Sequence, residues 1–259
     1  MYDDELAFAH GLADAAARIA MDRFADDGLE IRHKADKTLV TDADTGIERM
    51  VRDRLATVFP EDRIMGEEEG GTWEGAGRVW IVDPIDGTAN FARAIPIWAT
   101  LIALQVDGEI VLGVANAPAI GERYAAVRGS GATMNGKHIE VSGIGRMGDA
   151  QFLYSQLDTL LASTRNQAVV GLVVDSARER GFGDYWGHLL VARGAAEICL
   201  EPSLAIWDYA ALVPIVEEAG GRVTNFEGGP PSHKGPVLST NGVRHDEVLR
   251  RLGDVSIRR

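Results

Sequence analysis

The stretch RVWIVDPIDGTANF (78–91) ends an apolar run in two aspartates, Asp83 and Asp86. On a strand Asp83 and the apolar residues before it alternate sides. Pro84 then ends the pairing, and Gly87 permits a tight turn that brings the two carboxylates together. Two carboxylates ~5 Å apart in an effective dielectric of ~20 repel by about 3 kcal/mol. A cation cancels that cost, and oxygen ligands select hard ions such as Mg²⁺ or Mn²⁺. The plainer reading is an Asp-Pro turn followed by a helix cap. Three further acidic positions bear on the choice. GEEEGG (66–71) places Glu67, Glu68 and Glu69 after a short strand; a triple glutamate is ordinarily a solvated face, but here it sits at a strand end beside glycines. Asp208 follows Trp207 and opens a helix, where a carboxylate is favoured whether or not it binds anything. Asp44, in LVTDADTGIE, sits near another helix start.

The elements that must carry these residues are visible in the apolar pattern. Leu6, Ala9, Leu12, Ala16, Ile19 and Phe24 recur at helical spacing and predict a helix over 3–24. A second helix is predicted over 41–59, with Ile47, Met50, Val51, Leu55 and Val58 on one face, Thr41 or Asp42 as cap and Pro60 as stop. A short strand over 63–65 and the strand RVWIV precede three β-like runs, 98–108, 109–118 and 122–129, whose glycine breaks predict an antiparallel meander. Composition shifts near 141–150, which divides an N-terminal α+β half (1–145) from a C-terminal α/β half (146–259). In the second half QFLYS reads as a strand, and 166–177, 184–194, 207–221 and 245–253 read as helices.

Composition removes several classes of function. The 259 residues carry 26 Lys and Arg against 39 Asp and Glu, a net charge of −13 that argues against a nucleic-acid surface. The longest apolar run, 94–104, is shorter than the ~20 residues of a spanning helix, and the start MYDDELAFAH lacks the pattern of a signal peptide. A soluble, cytoplasmic protein is therefore expected. The single cysteine, Cys199, allows no internal disulfide and reads as a core residue. The six histidines show no metal-ligand spacing. An acidic protein that handles an anion must reverse its charge locally, and bound divalent cations do that.

Taken in order, LVTDAD, GEE, WIVDPIDGTANF, GVANAP, GATMNGK, WDYAA and EEAGG resemble the inositol monophosphatase superfamily of metal-dependent phosphomonoesterases over essentially the whole chain. The resemblance implies a five-layered αβαβα sandwich, commonly a homodimer, acting on a small-molecule phosphate ester with no nucleic-acid or membrane partner. It implies two or three Mg²⁺ per site, with Mn²⁺ as a substitute. Glu67, Asp83 and the carbonyl of Ile85 correspond to ligands of one ion, and Asp83, Asp86 and Asp208 to those of a second. A third ion is implied near Glu67, with Asp44 beside it. Gly87 and Thr88 correspond to phosphate donors, and Thr88, Glu67 and Asp44 to the group that orients the attacking water. Ile85, Asp86 and Asp208 also fall at the substrate. Asp184 and Glu201 fall where the alcohol part is held.

Asp184 in GFGD, the run PIWATLIAL and LEPSLAIWDYAALVPIVEEAGG are most similar to the histidinol-phosphate phosphatase branch. Two carboxylates near the leaving group suit an ammonium better than a hydroxyl, since a charge-assisted hydrogen bond contributes about 1.5 to 3 kcal/mol. The plainer reading of Asp184 is a cap on helix 184–194. Inositol monophosphate, fructose 1,6-bisphosphate and 3′-phosphoadenosine nucleotides are the alternative substrates. Two rival readings remain. Asp42-Ala43-Asp44-Thr45 mimics the Asp-x-Asp nucleophile of haloacid-dehalogenase-type phosphatases, although Gly46 stands where that motif usually has Thr or Val. A non-enzymatic regulatory protein on the same fold is the other.

Overall fold

The computed structural model of the chain describes residues 2–26, 28–34 and 38–253. Helices Asp3–Arg23 and Asp42–Val58 turn Leu12, Ala16, Ile47 and Val51 inward against one face of an eight-stranded sheet. Thr41 caps the second helix and closes a capping box with Asp44. The sheet's strands from Arg78–Asp86 through Ala99–Val106, Glu109–Ala117, Glu122–Val127 and Ala132–Met134 form the expected meander, each antiparallel to the next. Arg63–Gly66 joins the other edge of Arg78–Asp86 in parallel.

The segment after Lys137–His138 leads to a five-stranded sheet ordered Arg178–Arg180, Gln151–Tyr154, Ile198–Ala205, Lys234–Thr240 and Arg222–Thr224. Helices Asp184–Ala192, Ile206–Tyr209 and Leu212–Glu218 lie between the two sheets and share one apolar core with the first, in which Tyr185, Leu189 and Ile215 meet Leu101 and Tyr124. Helices Leu157–Ala162, Asn166–Asp175 and His245–Gly253 cover the outer face of the smaller sheet through Leu172, Val248 and Leu252. The layers run helix, sheet, helix, sheet, helix. Gly113 lets the middle layer approach: a Cβ there would lie 2.1 Å from the Ala211 carbonyl oxygen.

Two local expectations give way. The helix read over 207–221 is broken into Ile206–Tyr209 and Leu212–Glu218, and Pro214 falls in the first turn of the second piece, where its missing N–H costs nothing. Pro84 does not end its strand. Arg78–Asp86 pairs through it, with Asp83 opposite Leu101 and Asp86 opposite Ala99, so one strand holds an extra residue. In a regular strand residues three apart face opposite sides; the bulge restores Asp83 and Asp86 to the same side. A bulge also tolerates proline, and Thr100 Oγ1 donates to the Pro84 carbonyl at 2.8 Å.

Candidate active site

The bulge opens into a cavity of about 760 Å³ bounded by Glu67, Asp83, Ile85, Asp86, Thr88, Asp184 and Asp208, with Lys34 and Lys234 also on its wall. Asp83, Asp86 and Asp208 each offer an oxygen within 4.8 Å of the other two. Each is held from behind by an N–H: Ile85 N donates to Asp83 Oδ1 at 3.0 Å, Tyr185 N to Asp86 Oδ2 at 2.7 Å and Ala205 N to Asp208 Oδ2 at 2.7 Å. The bond from Tyr185 joins the first half of the chain to the second at a carboxylate.

Burial pushes Asp83 and Asp86 well above the usual carboxylate range, and their acidic neighbours push further. Burial also raises Asp208, to about 7. Among the described residues no Lys or Arg pairs with these three. Clustered, desolvated oxygen donors without a cationic partner are the donor set of a hard dication. Lys34 Nζ lies between Glu67 and Glu68, at 2.7 and 2.8 Å, so the glutamates already hold a cation.

Thr88 follows Gly87, whose φ of 87° is left-handed and whose Cβ position lies 3.0 Å from the Ile97 carbonyl. Thr88 Oγ1 is 2.9 Å from the Ile85 carbonyl and 3.4 Å from Asp44 Oδ1. Asp44 is fully buried; its other oxygen accepts from Thr41 N at 2.8 Å, and burial raises its pKa to about 6. It therefore serves both to complete the capping box and as the partner of Thr88.

The Glu67 turn has its own support. Glu48, fully buried, accepts from Glu68 N at 2.7 Å and Glu69 N at 3.0 Å, and from Arg52 Nη2 at 2.6 Å. Arg52 Nη2 also donates to the Gly70 carbonyl at 2.6 Å, and a Cβ on Gly66 would come within 2.1 Å of Glu48 Oε1. Glu48, Lys34 and Lys234 were not singled out by sequence. Glu48 lies on a helix face where a charged residue reads as solvated, and neither lysine belongs to a patterned run.

One residue departs from expectation. Glu201 does not line the cavity; it is fully buried, Ser155 Oγ donates to Oε2, and Asp184 N donates to Oε1 at 3.0 Å. It stands behind Asp184, where direct substrate contact was expected. Asp184 starts its helix in a left-handed conformation, φ 53°, with its backbone N–H so engaged. In the dehalogenase-like motif, Asp42 turns away to Arg23 Nη2 at 2.8 Å while Asp44 is buried in the capping box.

Residues 1–255 match the inositol monophosphatase family. The chain belongs to that family. Histidinol-phosphatases of Mycobacterium tuberculosis and Streptomyces coelicolor are 43% and 41% identical to it, each over 97% of this chain and over 99% and 97% of theirs. The Thermotoga maritima IMPase superposes with a TM-score of 0.86 at 31% identity, covering 97% of this chain and 98% of that one. With these full-length likenesses the inositol monophosphatase family member described here is a phosphoric monoester hydrolase. Among its described residues no helix is long and apolar enough to cross a membrane.

Proposed function

We propose that this phosphatase hydrolyses L-histidinol phosphate to histidinol with Mg²⁺, as a step in histidine biosynthesis. The observation that carries the reading is Asp184, a carboxylate on the wall shared with Asp86 and Asp208 and braced from behind by Glu201. Burial disfavours its charged form, a cost that an ammonium on the alcohol would offset and a neutral hydroxyl would not. The histidinol-phosphatase relatives support the same substrate.

Glu67, Asp83 and the Ile85 carbonyl would hold one ion, Asp83, Asp86 and Asp208 a second, and Glu67 beside Asp44 a third. When bound, these dications supply the positive charge that a phosphate monoester and its leaving oxygen require. The chain's own residues do the rest. The Thr88 hydroxyl donates its hydrogen bond to the Ile85 carbonyl, with Asp44 Oδ1 as a second, longer acceptor, leaving the Thr88 oxygen to accept from a water and aim it at phosphorus. Lys34 and Lys234 add positive charge to the cavity wall. The water oxygen bonds to phosphorus as the P–O bond to the alcohol breaks; one of the water's two protons stays on the released phosphate, the other passes to solvent, and solvent returns one proton to the alcohol oxygen.

Phosphate release with Mg²⁺ should be compared across histidinol phosphate, inositol 1-phosphate, fructose 1,6-bisphosphate and 3′-phosphoadenosine 5′-phosphate. The expected result is the highest kcat/KM for histidinol phosphate. A clear preference for any of the other three would overturn the assignment.

A further inference from the structure

We propose that a side chamber of about 410 Å³, opening from the catalytic cavity, receives a flat aromatic ring carried by the substrate's alcohol. The inference rests on the phosphatase site above and concerns the part of the ester that site leaves unaccounted for. Asn90, Gln156 and Asp184 line both spaces, so a molecule whose phosphate lies by Asp86 and Asp208 can extend past Asp184 without leaving the protein surface.

The walls beyond Asp184 change character. Tyr154, Phe182 and Trp186 line the chamber together with Ile95 and Ile97. Phe182 and Trp186 already form a ring pair, centroids 5.0 Å apart and planes at 50°. The loop that presents Phe182 has little freedom, because a Cβ on Gly183 would lie 2.2 Å from the Ser155 Cβ and 2.6 Å from Glu201 Oε1. A flat ring gains apolar and aromatic contact there. Asn90, Ser155, Gln156 and Asp184 supply polar groups to the chamber, but a polyol would set its remaining hydroxyls against Ile95, Ile97 and Phe182, where an unpaired polar group is costly to bury. Asp184, at the neck, is placed for an ammonium between phosphate and ring. The chamber thus selects 2-amino alcohol phosphates with an aromatic or heteroaromatic terminus.

Three esters that share the amino-alcohol phosphate end test this: histidinol phosphate, phenylalaninol phosphate and alaninol phosphate, the last without a ring. In the unmodified enzyme kcat/KM for the better ring-bearing ester should exceed that for alaninol phosphate by about tenfold or more, and Phe182→Leu and Trp186→Leu should each shrink the ratio severalfold, mainly through KM. Binding is read separately by the fluorescence change on adding L-histidinol, with alaninol as control. The histidinol-specific change should be lost in Trp186→Phe. Equal kcat/KM for ring-bearing and ring-free esters in the unmodified enzyme would overturn the chamber, as would ratios unmoved in both leucine variants. Efficient histidinol phosphate turnover with such unmoved ratios removes the chamber and leaves the proposed substrate standing. Preference for phenylalaninol phosphate with no turnover of histidinol phosphate does the reverse.

Discussion

Glu48→Gln should loosen the Glu67 turn without substituting any residue of the cavity wall. The wild-type carboxylate accepts from Arg52 and from two consecutive backbone amides, all while fully buried. A glutamine has one acceptor oxygen. If that oxygen faces Arg52 and Glu69 N, its NH₂ group meets Glu68 N, donor against donor. Hydrogen bonds to charged groups contribute about 1.5 to 3 kcal/mol, and breaking a buried ion pair by removing one partner costs about 3 to 5 kcal/mol. Arg52 is partly exposed and recovers some hydration, so a net loss of about 3 kcal/mol is expected. For a chain of this size that lowers Tm by roughly 6 to 12 °C. The local consequence is more specific than the global one. The Mg²⁺ concentration for half-maximal phosphate release should rise about tenfold, with kcat at saturating Mg²⁺ within about twofold of wild type. Calorimetric titration with Mn²⁺ and hydrogen exchange at the Glu68 and Glu69 amides report the same loosening without turnover. Wild-type exchange at those amides together with wild-type metal affinity would refute the role given to Glu48.

Three further outcomes follow from the geometry. Asp83→Asn should abolish Mg²⁺-dependent turnover, by about a thousandfold or more, while circular dichroism shows a folded protein; retained activity would remove Asp83 from the site. Without dications, stability should fall as pH rises from about 4 to about 7, because burial raises Asp208 to about 7 and a carboxylic acid that is easier to keep protonated in the folded state favours folding only below that range. His188, lowered to about 4 by burial, acts in the opposite sense between about 4 and 6.5, so the measurement is the difference in Tm with and without Mg²⁺, which should widen towards pH 8. Gly113→Ala, whose Cβ meets the Ala211 backbone at 2.1 Å, should cost about 1 to 3 kcal/mol or prevent folding, and an unchanged urea midpoint would contradict the close approach of middle helix and sheet.

The carboxylates that line the cavity stood out in the sequence because each stands at the end of an element that periodicity reveals: Glu67 after a short strand, Asp83 in an apolar run, Asp208 at a helix start. Their convergence was legible only through the resemblance, since no local pattern relates positions 83 and 208. The bulge was hidden for a physical reason. Pro84 reads as a stop when neighbours alone are considered, and only pairing with Ala99–Val106 keeps the strand going to Asp86. Glu201 was misplaced because its spacing from Asp208 gives a position along Ile198–Ala205 but not depth. Ser155 and the Asp184 backbone N–H each take one of its oxygens. Glu48 and Arg52 look like an ordinary i, i+4 surface pair, and their burial depends on the turn 67–69 folding over them.

The extra residue between Asp83 and Asp86 ties chemistry to chain length more than to side-chain identity at the intervening positions. Exchanging Pro84 for another amino acid keeps the count, and both acids still look into the same chamber. Deleting any one residue between them restores the simple alternation of the ladder and sends one acid into the opposite layer, where Trp80 and Val82 pack against helices. Such a protein would lose its paired carboxylates and also bury a lone charge in an apolar layer, so shortening here is expected to end folding and activity together.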